Sequence, residues 1–106
     1  KATYINDEIK AVATHSRWSL ITHYHFGGYA KVSKELIAFM NAFFADTGIL
    51  LDPVYTAKLM YGVYDLIEKG YFPENSRILA IHTGGLQGIA GMNMKLAKKG
   101  LPIIHT

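Results

Sequence analysis

The chain has 106 residues, half of them hydrophobic and 18% charged, and it contains no cysteine. This is at most one domain, too apolar for a disordered tail, and without thiols it has neither a disulfide framework nor a thiolate-held zinc or iron–sulfur site. A net charge of +3 and a pI near 9.2 are mild, and the aromatics lie away from the lysines, so the pattern of a nucleic-acid reader is missing.

Asn41, Asp46 and Asp52 interrupt the longest apolar stretches well short of a membrane span. The sequence starts at Lys1 with no charged, apolar, then small-residue leader, so a cytoplasmic location is expected.

In chain order, residues 6–14 read as a helix, with Ile5, Ile9 and Val12 on one face and Asp7 and Glu8 in the first turn. Residues 18–26 are rich in aromatic and β-branched side chains and read as a strand ended by Gly27-Gly28. Ser33 is a good N-cap for a helix carrying Leu36, Ile37, Met40, Phe43 and Phe44, which Gly48 stops. Ile49-Leu50-Leu51 is either a short buried strand or a packed connector.

A third helix starts at Tyr55 and is ended by Gly70, with Leu59, Gly62, Val63, Leu66 and Ile67 expected inside. Residues 72–76 form a loop by composition. Arg77 to His82 is the clearest strand, apolar through its centre as in a parallel sheet covered on both faces. Thr83-Gly84-Gly85 breaks it, a glycine-studded helix follows over 86–99, and 101–104 is a last extended piece. Lys95, Lys98 and Lys99 suit the negative end of that helix.

Alternating helices and strands argue an α/β fold with a mainly parallel sheet. Two or three strands are few for such a sheet, and the helices are too few to cover it. Residues 1–106 are therefore expected to be the end of a larger α/β protein, with no internal boundary.

Three junctions could carry chemistry. At 81–88 a strand runs through Thr83-Gly84-Gly85 into a helix N-terminus, which offers free N–H groups to an anion or small molecule. The same pattern also serves a tight turn with close helix–strand packing. Asp52-Pro53 can simply cap the next helix, yet Tyr55 and Thr56 also place a phenol and a hydroxyl at its start. At 25–29 another strand leads into paired glycines and Tyr29. His23 and His25 alternate, with His15 upstream, but no acidic third ligand has a compelling spacing, and no metal site is expected. A G-x-S-x-G elbow and a carboxylate pair for glycoside chemistry are both missing.

In this order, Gly27-Gly28-Tyr29, Gly48-Ile49-Leu50-Leu51-Asp52-Pro53-Val54-Tyr55-Thr56-Ala57-Lys58, Phe72 to Arg77, and His82-Thr83-Gly84-Gly85-Leu86-Gln87-Gly88 resemble a known family. That family is the 1-aminocyclopropane-1-carboxylate deaminases and D-cysteine desulfhydrases, and the resemblance is to its C-terminal part. It implies a tryptophan-synthase-β-like, fold type II enzyme dependent on pyridoxal 5'-phosphate, acting on a small amino acid to release ammonia and a keto acid. It also implies a homodimer, with no nucleic-acid or membrane partner. Tyr29 and Tyr55 match the family's two active-site tyrosines. Thr56 matches the position facing the pyridine nitrogen, and the His82-Thr83-Gly84-Gly85 turn matches the loop beside the cofactor ring.

Two departures bear on function. At Thr56 the true cyclopropane deaminases resemble glutamate, and a neutral hydroxyl favours a protonated ring nitrogen less. That suits elimination from an amino acid such as D-cysteine better than ring opening. The family's Schiff-base lysine and phosphate loop belong to its upstream part, and no lysine here, including Lys31, Lys34 and Lys58, has that context. The chain alone is expected to be inactive, its partner being the upstream remainder of the enzyme. The rival reading is a non-catalytic α/β ligand-binding or interaction module.

Overall fold

A computed structural model describes residues 21–27 and 32–106. The expected helix at 6–14, residues 18–20 of the expected strand at 18–26, and Tyr29 lie outside the described residues. Three helices organise the rest: α1 is Lys34–Thr47, α2 is Thr56–Glu68 and α3 is Gly88–Lys98.

The ends of α1 follow from its sequence. Ser33 is extended, and its Oγ accepts the Leu36 N–H at 3.1 Å. Gly48 takes φ 72° and donates its N–H to the Phe44 carbonyl, a left-handed stop that glycine adopts without a Cβ clash. Leu36, Ile37, Met40 and Phe43 form the buried stripe, as their spacing predicts.

Helix α2 packs against α1. Phe39 meets Tyr61 and Tyr64 edge-on with ring centroids 5.4 Å apart in both pairs, the arrangement their ring quadrupoles favour. Tyr61 donates its hydroxyl to Glu35 across the same seam. The inner face of α2 differs from the sequence reading. Thr56, Ala57, Lys58, Gly62 and Leu66 are buried, whereas Leu59 and Ile67 are exposed. The apolar arc of α2 is thus wider than its contact with α1, and part of it remains bare.

Ile89 and Leu96 of α3, Leu51 and Ala57 join the α1 residues in one core with Ile104. The last segment reaches that core through two asparagines. Asn93 accepts the Ile104 N–H and donates to its carbonyl, while Asn41 accepts from the His105 N–H and donates to the Ile103 carbonyl. Side-chain amides here replace a neighbouring strand.

The described residues contain no strand, so the expected parallel sheet is not formed among them. Residues 77–82 are extended but make no ladder with any described segment. Residues 49–51 are a packed connector, and 21–26 end in a turn with Phe26 at φ 55°. Helix α3 starts two residues later than expected, after a turn in which Gly88 and Ile89 donate to the carbonyls of Gly85 and Leu86.

Candidate functional site

Asp52 organises the start of α2. Its carboxylate is buried and accepts four hydrogen bonds: from the N–H groups of Val54, Tyr55 and Thr56 at 2.8–2.9 Å, and from the Thr56 hydroxyl at 2.7 Å. The Thr56 Oγ1 in turn accepts the Asp52 N–H at 2.7 Å. The capping reading of Asp52-Pro53 is therefore correct, and it extends to Thr56. Burial disfavours the Asp52 charge, but the Thr56 hydroxyl and the three N–H donors outweigh that, holding its carboxyl below the usual aspartate value.

The glycine turn docks on this cap. His82 donates its Nε2–H to the Leu50 carbonyl at 2.7 Å and accepts the Gly84 N–H on Nδ1 at 3.0 Å, so the neutral Nε2–H tautomer fits both contacts. Gly84 and Gly85 stand at φ 91° and 86°. A Cβ built on Gly85 would lie 3.2 Å from the Asp52 carboxyl carbon. Glycine is thus required twice at that position, for its backbone angle and for close approach. Gly85→Ala should destabilise the chain by about 1–2 kcal/mol, and urea unfolding of the two proteins side by side would show it. An unchanged midpoint would mean that the turn does not rest on Asp52.

The junction brings together six of the seven sequence-predicted site residues: Tyr55, Thr56, His82, Thr83, Gly84 and Gly85. Tyr55 is 60% exposed at the N-terminal end of α2. Thr56 is 1% exposed, and its hydroxyl proton is committed to Asp52. Beside them, Leu51, Leu59, Met60, Ala80 and Ile81 line an open apolar groove reaching Thr56 and His82. The seventh residue, Tyr29, lies outside the described residues, but the turn before it is held against α2. Gly27 donates to His25 Nδ1, repeating the His82–Gly84 contact.

That anchorage uses a residue with no sequence signal as a site group. Lys58 is buried, and its ammonium donates to the His25 carbonyl at 2.8 Å, with its pKa lowered by desolvation. Tyr24 adds a hydrogen bond to Asp65 at 2.7 Å, and Gly62 lets its ring approach, since a Cβ there would sit 3.0 Å away. The hydrogen bond to Glu35 pushes Tyr61 up to about 12, and that to Asp65 raises Tyr24. Both phenols stay protonated at neutral pH.

Among curated proteins, a Pyrococcus abyssi protein provisionally named 1-aminocyclopropane-1-carboxylate deaminase is 48% identical over 69 residues, covering 65% of this chain and 20% of that protein. A Rhizobium rhizogenes protein named 1-aminocyclopropane-1-carboxylate deaminase is 40% identical over 72 residues, covering 68% of this chain and 21% of its own. The chain is homologous to the 1-aminocyclopropane-1-carboxylate deaminases. The matched stretch is about a fifth of each of these deaminases, consistent with a C-terminal fragment of the family. A Mesorhizobium japonicum deaminase of the same name matches 44 residues at 52% identity. No family model matches the chain, and neither does any solved structure.

Of the sequence-predicted site residues, Thr56 and His82 line the apolar groove, and these two are where the junction could meet a small molecule.

Proposed function

We propose that residues 1–106 are the C-terminal piece, without internal boundary, of a cytoplasmic pyridoxal-phosphate-dependent deaminase or desulfhydrase acting as a homodimer. The observation that carries this reading is the docking of the His82–Gly85 turn on the Asp52–Thr56 cap, in a chain homologous to deaminases. Pyridoxal phosphate supplies an electron sink that lets a proton leave the substrate carbon. The lysine that holds it and the loop that grips its phosphate belong to the upstream remainder.

This chain contributes the ring-side wall. His82 fixes the glycine turn by its two hydrogen bonds, and this turn would line the ring side of the pocket when the cofactor is bound. Asp52 fixes the first turn of α2 and thereby the position of the Tyr55 phenol. Tyr55 and Tyr29 position the amino-acid substrate and exchange protons with it. Thr56, whose own proton is directed to Asp52, would be the neutral group at the ring nitrogen when the cofactor is bound.

A neutral group there favours elimination from a small amino acid of the D-cysteine type, releasing sulfide, ammonia and a keto acid. Thr56→Glu, introduced into the complete enzyme, should shift the ratio of the two activities toward 1-aminocyclopropane-1-carboxylate. Assays of both substrates on one preparation test it, and an unchanged ratio would sink the substrate assignment.

A further inference from the structure

We infer that Lys58 is a positioning residue: through the His25 carbonyl its buried ammonium holds the Phe26-Gly27 turn against α2, and turnover of the complete enzyme depends on that hold. The anchor is read from this chain alone, whereas its effect on turnover rests on the proposed function.

Phe26 and Gly27 stand at φ 55° and 93°, two successive left-handed residues that reverse the chain. Glycine adopts such an angle freely, but an aromatic residue keeps it only when its surroundings impose it. Here α2 imposes it. The Tyr24 ring lies over Gly62, where a Cβ would come within 3.0 Å, and its hydroxyl donates to Asp65 at 2.7 Å. The Phe26 ring meets Tyr61 edge-on with centroids 4.9 Å apart. These contacts fix the side chains on either side of His25. Lys58 fixes the backbone between them, donating to the His25 carbonyl at 2.8 Å. Among the described residues, no backbone N–H takes that carbonyl.

An ammonium is costly at this place. Lys58 is 8% exposed, and desolvation lowers its pKa. It follows the buried Ala57 on α2, where a methionine would be buried without that cost. What the charge supplies is a strong, directed hydrogen bond, which apolar packing cannot replace. In sequence the anchored turn runs on to Gly28 and Tyr29, the phenol that the proposed function sets on the substrate. A misplacement of about 1 Å in such a group lowers turnover by up to about 100-fold.

Lys58→Met, Lys58→Arg and the control Lys98→Met, which removes an exposed lysine of α3, are compared in the complete enzyme. Lys58→Met should lower kcat by about 10–100-fold, with KM within about threefold of the parent. Cofactor absorbance per chain and the urea midpoint should be retained. Hydrogen exchange of peptides within 22–27, read by mass spectrometry, should quicken by about tenfold. Lys58→Arg keeps a charged donor and should hold kcat and exchange within about threefold of the parent, and Lys98→Met should leave both unchanged.

An unchanged kcat or an unchanged exchange rate in Lys58→Met would overturn the proposal. Equal losses in the methionine and arginine variants would overturn it too, by assigning the effect to packing. So would a loss of kcat that merely follows a loss of cofactor or of stability. If the parent enzyme itself shows neither cofactor absorbance nor turnover, the deaminase reading falls and the turnover effect with it, while exchange over 22–27 still decides whether Lys58 holds the turn.

Discussion

Asp52→Ala should lower the stability of the chain by about 3 kcal/mol, since it leaves three N–H groups and the Thr56 hydroxyl without their charged acceptor. Asp52→Asn keeps an acceptor and should cost roughly half as much. Urea unfolding at neutral pH checks both, and a loss below about 1 kcal/mol would show that the cap does not hold the helix start.

The pH dependence follows from the same bonds. The folded pKa of Asp52 lies below its ordinary value of 3.8, so the folded state binds its proton less readily than the unfolded chain. The stabilisation is fully present above about pH 4 and is lost as the pH falls through the folded value. In Asp52→Asn that acid-side loss should shrink, because the titrating group is gone. Equal acid dependence in the two proteins would assign the effect to other carboxylates.

Tyr55→Phe should lower kcat of the complete enzyme by about 100–1000-fold, the range of a lost acid–base group. The cofactor absorbance should remain if, as proposed, the phenol acts on substrate and the glycine turn lines the ring. Stability should change little, given that the Tyr55 side chain is largely exposed and the backbone N–H is what Asp52 holds. Steady-state kinetics and an absorption spectrum of the variant separate these effects. A loss of cofactor with kcat per bound cofactor unchanged would make Tyr55 a wall residue. Tyr61→Phe is the control, since that phenol is tied to Glu35 and kept protonated.

The helices were legible because their signals are local. Ser33, Gly48, Gly70 and Gly100 mark ends that depend on a side-chain oxygen or a left-handed angle within a few residues. Asp52-Pro53 is of the same kind, and its four hydrogen bonds all fall within residues 54–56. The extended segments were less legible because a strand is a property of two segments. Arg77 to His82 has strand composition, yet no described neighbour completes it.

The face of α2 was misjudged for a related reason. Leu59 and Ile67 match the period but stay exposed, Leu59 at the open apolar groove, whereas Lys58 is buried with an ammonium contact that composition does not announce. Within the site, spacing placed Thr56 and the glycine turn correctly at two helix starts. That the turn rests on Asp52, with His82 reaching Leu50, depends on contacts more than thirty residues apart in sequence. Asn41 and Asn93, which hold the last segment, carry no sequence signal for the same reason.

The central claim is that this chain forms one wall of a cofactor pocket whose lysine lies upstream. Borohydride reduction in the presence of pyridoxal phosphate, followed by peptide mass spectrometry, tests it most directly. The 106-residue chain alone should show no adduct at one per chain on any lysine. Mixed with the upstream portion of the Pyrococcus abyssi deaminase, it should yield one adduct, on an upstream lysine. A stoichiometric adduct on Lys31, Lys34, Lys58 or any other lysine of this chain would contradict the account.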